Sequence, residues 1–381
     1  MSEHSKLPPS SASRRFVCSG SRALEAKYKQ DKDSPHAREG EAAHWVASEM
    51  LKTWWNSPTL KTPETAPNGE PITSEMLEGA ELYASSIMAV LRATSNLAKS
   101  EHLHIEERVD ISTIHPECWG TPDCWFYSGS ELHIWDYKFG HGYVEVFENW
   151  QLIEYCAGIL AKLGINGIQD QTLPVTFYII QPRSYGREPV RSWRVKTADL
   201  RGTFNVLRAH EEEAMSETAR CQPSPECSYC TARHACPTLQ RTALTAVDIV
   251  GENTPWDLSP FGVANELRIL RHAAELLEAR ITGLTEQATS LLNHGERLPY
   301  FRLEQSVGRQ SWKVPADEII LMGELLGHSL TKPPEVITPA QAIKAGIPPE
   351  VVQQYSHKPK GAMKLIEDQE NTARKIFGGT K

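Results

Sequence analysis

Residues 120 to 140 read GTPDCWFYSGSELHIWDYKFG, and place Asp123, Asp136 and Lys138 in two segments of strand-like composition. If Gly129-Ser130 is a two-residue turn, Ser128 pairs with Glu131 and Asp123 falls directly across from Asp136. Side chains alternate faces along a strand, so Asp123, Asp136 and Lys138 share one. Opposed carboxylates with Cβ atoms about 5 Å apart repel unless a cation lies between them. Few protein oxygens, with water and substrate phosphate completing the shell, is how Mg²⁺ is usually held. Lys138 beside such an ion can orient an attacking water and stabilise charge developing at phosphorus. D-x-K alone is a weak pattern, and its bland reading is a solvated hairpin.

Two helical pairs add to this. Gln151 and Tyr155 stand four apart, so they share a helix face that can meet a phosphate while Leu152, Cys156 and Ile159 pack inward. Gly40 and His44 have the same spacing, where the glycine would permit close approach and the imidazole could serve as a further metal ligand. A single helical histidine more often has no such role.

A second cluster lies in CSYCTARHACP, which offers Cys227, Cys230 and Cys236. A four-coordinate site needs one more ligand. Cys221 would make a compact local set of zinc-knuckle type, and Cys18 would make a distant one. Cys118, Cys124 and Cys156 read as small buried hydrophobes.

Taken in order, Gly40-x-x-x-His44, Gly120-Thr-Pro-Asp123, Asp136-Tyr-Lys138 and Gln151-x-x-x-Tyr155 resemble the motifs of the RecB-like branch of the PD-(D/E)xK nucleases. The resemblance implies a restriction-endonuclease-like α/β (α+β) core in which His44, Asp123 and Asp136 bind Mg²⁺ or Mn²⁺ and the Tyr137 carbonyl can join them. It implies that Asp123, Asp136 and Lys138 are catalytic, and that Gln151 and Tyr155 contact DNA. Asp136 stands where many relatives carry Glu, which leaves the number of metals open. The activity implied is exonucleolytic hydrolysis of phosphodiester bonds to a 5′-phosphate and a 3′-hydroxyl. Arg183, Arg187, Arg191, Arg194 and Lys196, interleaved with Tyr185 and Trp193, would track the DNA, or else form a solvated basic edge strand.

Among RecB-like nucleases, the AddB-type helicase-nucleases and CRISPR adaptation nucleases carry one distant cysteine followed by C-x2-C-x5-C. By that resemblance Cys18, Cys227, Cys230 and Cys236 would hold a [4Fe–4S] cluster that staples the two ends of the domain. Zinc is equally compatible with thiolate ligands, and Cys221 remains the competing fourth. The segments SASRRFVCSGSRALE, TPAQAIKAG and KPKGAMKLI are similar to a family encoded by phages and prophages. This implies a role in phage DNA replication or recombination, on single- or double-stranded DNA ends. The partner implied is a single-strand annealing or binding protein, or a helicase. A reading from another class is a non-catalytic DNA-end-binding recombination adaptor that keeps the fold for its groove.

These residues need elements to position them. The chain has 381 residues, 40% hydrophobic and 23% charged, ordinary values for a globular protein. Neither a membrane span nor a secretory signal is present, so the expected location is the cytoplasm, of the bacterial host if phage-encoded, where thiols stay reduced. A net charge of −8 argues against coating nucleic acid by bulk charge, but not against a local basic groove. The pattern predicts N-terminal helices, an antiparallel meander from about residue 103, then a helix and an apolar strand, LPVTFYIIQPR. The domain reading is a disordered 1–10, a nuclease domain 11–240, a linker 241–256 and a mainly helical region 257–381 with a short β segment, PYFRLEQSVGRQSWKV. That last region opens with a helix over 259–294, capped by Ser259 with Pro260 at its first position and Gly295 past its end. Its heptad seam is Leu267, Leu270, Ala274, Leu277, Ile281, Leu284, Ala288 and Leu291. Such a seam either packs on the same chain or joins a homodimer.

Overall fold

The computed structural model describes residues 5–28, 35–56, 63–94, 103–165, 172–184, 186–249, 259–304, 316–325 and 349–355. Four helices come first: α1 (Ala12–Val17), α2 (Ser21–Lys27), α3 (Pro35–Asn56) and α4 (Ser74–Thr94). Strands β1 (Leu103–Ile105), β2 (Val109–Asp110), β3 (Trp119–Gly120), β4 (Cys124–Tyr127) and β5 (Leu132–Tyr137) follow. After them come α5 (Trp150–Lys162), β6 (Pro174–Ile180), β7 (Val190–Lys196), α6 (Thr197–Met215), α7 (Pro237–Ile249) and α8 (Pro260–Asn293).

The hairpin forms in the expected register, with Cys124 opposite Trp135 and Tyr127 opposite Leu132. Gly129 takes a φ of 89°, which an L side chain rarely adopts, and the Ser128 amide donates to the Glu131 carbonyl at 3.0 Å across the turn. The main sheet is mixed, in the order β1-β4-β5-β6-β7. Only β5 and β6 run parallel, joined by the α5 crossover. Every side chain of β5 is buried, because helices cover both faces. Trp125, Ile134 and Phe177 pack with α5 and α6 residues such as Leu152, Ile159 and Leu207. Phe126, Trp135 and Ile180 pack with Val46, Ala80 and Ile87 of α3 and α4. The α/β (α+β) expectation holds at this level.

Several boundaries differ from those read off the sequence. Residues 5–10 are not disordered: Leu7 is fully buried and the Ser5 hydroxyl donates to the Glu117 carbonyl at 3.1 Å. The expected linker 241–256 begins as helix, since α7 continues to Ile249. The chain divides into compact units at Leu303, so α8 belongs with the first unit rather than with a separate region beginning at 257. Residues 299–304, the start of the expected β segment, form no strand. In the second unit the described elements are α9 (Ala316–Leu325) and α10 (Pro349–Tyr355), and TPAQAIKAG lies outside the described residues.

The long helix has the expected ends: Ser259 accepts the Gly262 amide at 3.2 Å and Gly295 sits at φ 84°. Its docked face, however, is not the heptad seam. Leu276, Ala279 and Gly283 are buried, whereas Leu270, Ile281 and Leu284 are exposed. A Cβ on Gly283 would lie 2.8 Å from the His234 amide nitrogen, so glycine lets the helix seat on the loop that carries the cysteines. No described helix is long and apolar enough to cross a membrane.

Candidate functional site

Asp123 immediately precedes β4 and Asp136 lies in β5, so continuing the hairpin register sets them opposite each other at the sheet end. The Asp123 Oδ2 accepts the Tyr137 amide at 2.6 Å, and its Oδ1 faces Nδ1 of His44 at 3.3 Å. His44 comes from α3, its ring edge-on to Tyr137. Asp136 is 2% exposed, and the Lys138 ammonium lies 2.9 Å from its Oδ2 and 3.2 Å from Oδ1. Gln151, on the first turn of α5, bridges the pair: its amide donates to Asp136 Oδ1 at 3.0 Å and its carbonyl accepts from Lys138 at 3.1 Å. The sequence-chosen His44, Asp123, Asp136, Lys138 and Gln151 are thus assembled in one place.

Their electrostatics follow from crowding in a partly dry site. Burial pushes the Asp136 carboxyl above its ordinary value, with Lys138 opposing and Asp123 reinforcing the rise. Burial would raise Asp123 as well, but the His44 imidazole, Lys138 and the Tyr137 amide outweigh it and hold it low. Burial would lower both His44 and Lys138; neighbouring carboxylates win and hold both above their usual values.

The residue that sequence reasoning missed is Glu106. It follows β1, takes a φ of 51°, and its amide donates to the Asp123 carbonyl at 3.1 Å. Although the residue is exposed, partial desolvation of its carboxyl beside the site and the adjacent Asp123 push it up to about 7. His44, Glu106 and Asp123 each bring one ligand atom within 4.8 Å of the others. Glu106 stands out in the sequence only as an acid after a short strand; pairing of β1 with β4 was needed to place it.

Other expected contacts are not where the sequence put them. Tyr155 is buried and its hydroxyl donates to the Thr121 carbonyl at 3.2 Å, which steadies the approach to Asp123. A Cβ on Gly120 would stand 2.9 Å from the Tyr155 ring, which explains that glycine. A Cβ on Gly40 would meet nothing within 4 Å, so the close approach expected there is not made by the described chain. Arg183 is buried, stacked on Phe139 and paired with Glu39 at 2.6 Å and Glu75 at 2.9 Å. Arg191 is also buried, donating to Gln181 at 2.8 Å and to the Val144 carbonyl at 2.9 Å. Arg194 and Lys196 lie on the other, exposed face of edge strand β7, and Arg194 pairs with Glu131 at 3.0 Å. Arg187 is exposed and lies over the Tyr143 ring. Strand alternation therefore splits the basic run between faces, and it forms no single track; Tyr185 lies outside the described residues.

Far along the chain, both competing cysteines reach the second cluster. Cys18, Cys221, Cys227, Cys230 and Cys236 line one small, mainly apolar pocket. Backbone amides point at three of the sulfurs: Gln222 to Cys18 at 3.2 Å, Ser224 to Cys227 at 3.4 Å and Leu239 to Cys236 at 3.5 Å. Burial and the neighbouring Cys236 and Cys18 push the Cys221 thiol up to about 12, and burial with nearby Glu25 does the same to Cys230. Residues 19–20 are stitched to Arg220 by backbone and Ser19 hydrogen bonds, which closes the ends of the first 236 residues on each other. Cys118, Cys124 and Cys156 are fully buried in the core, as expected.

Residues 4–372 match the family described as "Protein of unknown function (DUF2800)". The chain belongs to the DUF2800 family. Among solved structures, this DUF2800 chain is similar to that described as "Crystal structure of SSO0001", with 12% identity, a TM-score of 0.31, and coverage of 62% of this chain and 88% of that one.

Proposed function

We propose that this protein is a Mg²⁺- or Mn²⁺-dependent deoxyribonuclease of the PD-(D/E)xK type, acting on DNA ends, with a thiolate-held [4Fe–4S] cluster in its cysteine pocket. The observation that carries the reading is the convergence of His44, Asp123, Asp136 and Lys138 at one sheet end, with Gln151 fastening the last two. The donor set suits a hard divalent ion: carboxylates and an imidazole gathered at one sheet end. A bound ion there would lower the pKa of a water and neutralise phosphate charge. In the overall reaction, the water oxygen forms a bond to phosphorus, the P–O3′ bond breaks, and the leaving oxygen gains a proton. Lys138, held against Asp136 by Gln151, keeps a fixed ammonium beside the reacting phosphate and opposes the charge that builds there. The Tyr137 amide and the Tyr155–Thr121 bond fix Asp123 before substrate arrives.

The pocket chemistry suits a cluster as well: thiols gathered from both ends of the domain, with amide donors aimed at three sulfurs. When bound, the cluster would link the segment at Cys18 to the 221–236 loop. Zinc is the alternative occupant, and either Cys18 or Cys221 completes the set with Cys227, Cys230 and Cys236.

The test is digestion of end-labelled linear single- and double-stranded DNA with Mg²⁺ or Mn²⁺, comparing wild type with Asp136→Ala. Cleavage by wild type alone is expected; equal inertness with DNA binding retained would favour the adaptor reading. Anaerobically purified protein should contain iron and acid-labile sulfide. Zinc without iron would replace the cluster, and comparing Cys18→Ser with Cys221→Ser identifies the fourth ligand.

A further inference from the structure

We propose that the cavity between α5 and α6 is a docking site for an acidic segment of a partner protein, an extended peptide whose apolar side chain is flanked by carboxylates. The inference goes beyond the nuclease reading, and binding there does not depend on it.

The cavity has a volume of about 400 Å³, within the range of ligand-binding sites. Its floor is apolar: Ile114 and Leu160 belong to the main core, with Ile165 and Phe204 half-buried against it. Its rim is cationic: Arg201 and Arg208 line it, and no acidic side chain does so among the described residues. The whole chain carries a net charge of −8, so this surplus of positive charge belongs to the place rather than to the surface at large. Gln151 stands on the first turn of α5 and Leu160 on its last, which sets the cavity roughly 13 Å along that helix from the carboxylate site. An occupant of one does not fill the other.

The spacing of the two cations selects the ligand. Arg201, Phe204, Asn205 and Arg208 share one face of α6, with the arginines about 10 Å apart along its axis. Arg208 is held at its own end of the cavity: its Nε and Nη2 both donate to the Thr113 carbonyl, at 3.2 and 2.9 Å, and its Nη1 donates to Asn205 at 2.8 Å. A guanidinium so held keeps further N–H groups for a ligand. Two positive points set apart in this way suit two separate carboxylates better than one phosphate, which both arginines would have to grip together. The span between them is about three residues of extended chain. Phe204 lies between them on the helix, at the edge of the apolar floor, where an apolar side chain of the peptide would be buried. A nucleobase would instead bring polar ring atoms onto a floor that offers them no side-chain partner.

The test is fluorescence anisotropy of a fluorescein-labelled peptide, Asp-Asp-Leu-Phe-Asp-Asp, titrated with the full chain at low salt. Wild type should bind it, and replacing the aspartates by asparagine, or Leu-Phe by Ser-Ser, should weaken binding by at least about tenfold. Arg201→Gln should lose about tenfold as well, and Thr113→Trp, which places a large ring at the exposed rim, should block the cavity. Circular dichroism checks that both variants are folded. No binding by wild type, equal affinity for the asparagine peptide, or unchanged binding in both variants would overturn the proposal. Displacement of the labelled peptide by deoxyadenosine monophosphate at lower concentrations than by unlabelled peptide would overturn it in favour of a nucleotide site.

Discussion

Gly20 presses against Cys221: a Cβ on Gly20 would stand 2.5 Å from the Cys221 amide nitrogen and 2.9 Å from its Sγ. Gly20→Ala therefore pushes the N-terminal segment off the 220–236 loop without removing a thiol. Thermal unfolding should show a loss of about 1–3 kcal/mol, the range for overpacking, together with lower occupancy of the metal site proposed at the cysteines. Gly40→Ala, where a Cβ meets nothing within 4 Å in α3, should instead gain roughly 0.5–1 kcal/mol from helix propensity. Equal effects of the two substitutions would contradict the contact.

Arg15 is buried beside two buried carboxylates, pairing with Glu211 at 2.6 Å and Glu154 at 3.4 Å. It joins α1 to α5 and α6. Arg15→Met strands both acids, and should cost about 3–5 kcal/mol in a denaturant titration. Adding Glu154→Gln and Glu211→Gln should recover part of the loss, because the penalty lies in the orphaned charges.

Tyr155 and Gln151 separate positioning from substrate contact. With its hydroxyl on the Thr121 carbonyl, Tyr155→Phe should leave DNA affinity within about twofold while weakening Mn²⁺ binding at the sheet end. Gln151→Ala removes the bridge between Lys138 and Asp136, and should lower Mn²⁺ affinity by roughly 10- to 100-fold. A large loss of DNA affinity in Tyr155→Phe, with Mn²⁺ binding intact, would return Tyr155 to the DNA-contacting role.

The pairing of Arg183 with Glu39 ties the β6–β7 connection to α3, and with Glu75 to α4. The hydrogen bond from Arg183 holds the Glu39 carboxyl below its ordinary value near 4.5. A lowered carboxylate pKa stabilises the fold above the unfolded value and loses that contribution as pH falls through the folded one. Unfolding free energy of wild type should thus fall from about pH 5 downward, and fall less steeply in Arg183→Gln. The difference should be at most about 1 kcal/mol, because the pair is partly solvated. Parallel curves for the two proteins would show that the pair contributes nothing.

What the sequence could specify by itself was local. The Gly129-Ser130 turn set the register that opposes Asp123 and Asp136, since a two-residue hairpin loop fixes which positions pair. Ser259, Pro260 and Gly295 likewise announced the ends of the long helix, because capping depends on neighbouring residues. Helical spacing put Gln151 on a face that meets the Asp136–Lys138 pair. Tertiary structure decided the rest. Glu106 reached Asp123 only when β1 paired with β4 across the intervening β2–β3 excursion, a long-range pairing that no local pattern specifies. The basic run around β7 lost Arg183 and Arg191 to internal partners that no local pattern reveals. The exposed seam of α8 shows the same limit, as its docked face was set by how closely Gly283 approaches the cysteine loop. Cys18 and Cys221 looked like rivals in sequence, and folding brought both to one pocket, because the contacts that gather them are fixed by chain closure rather than by spacing.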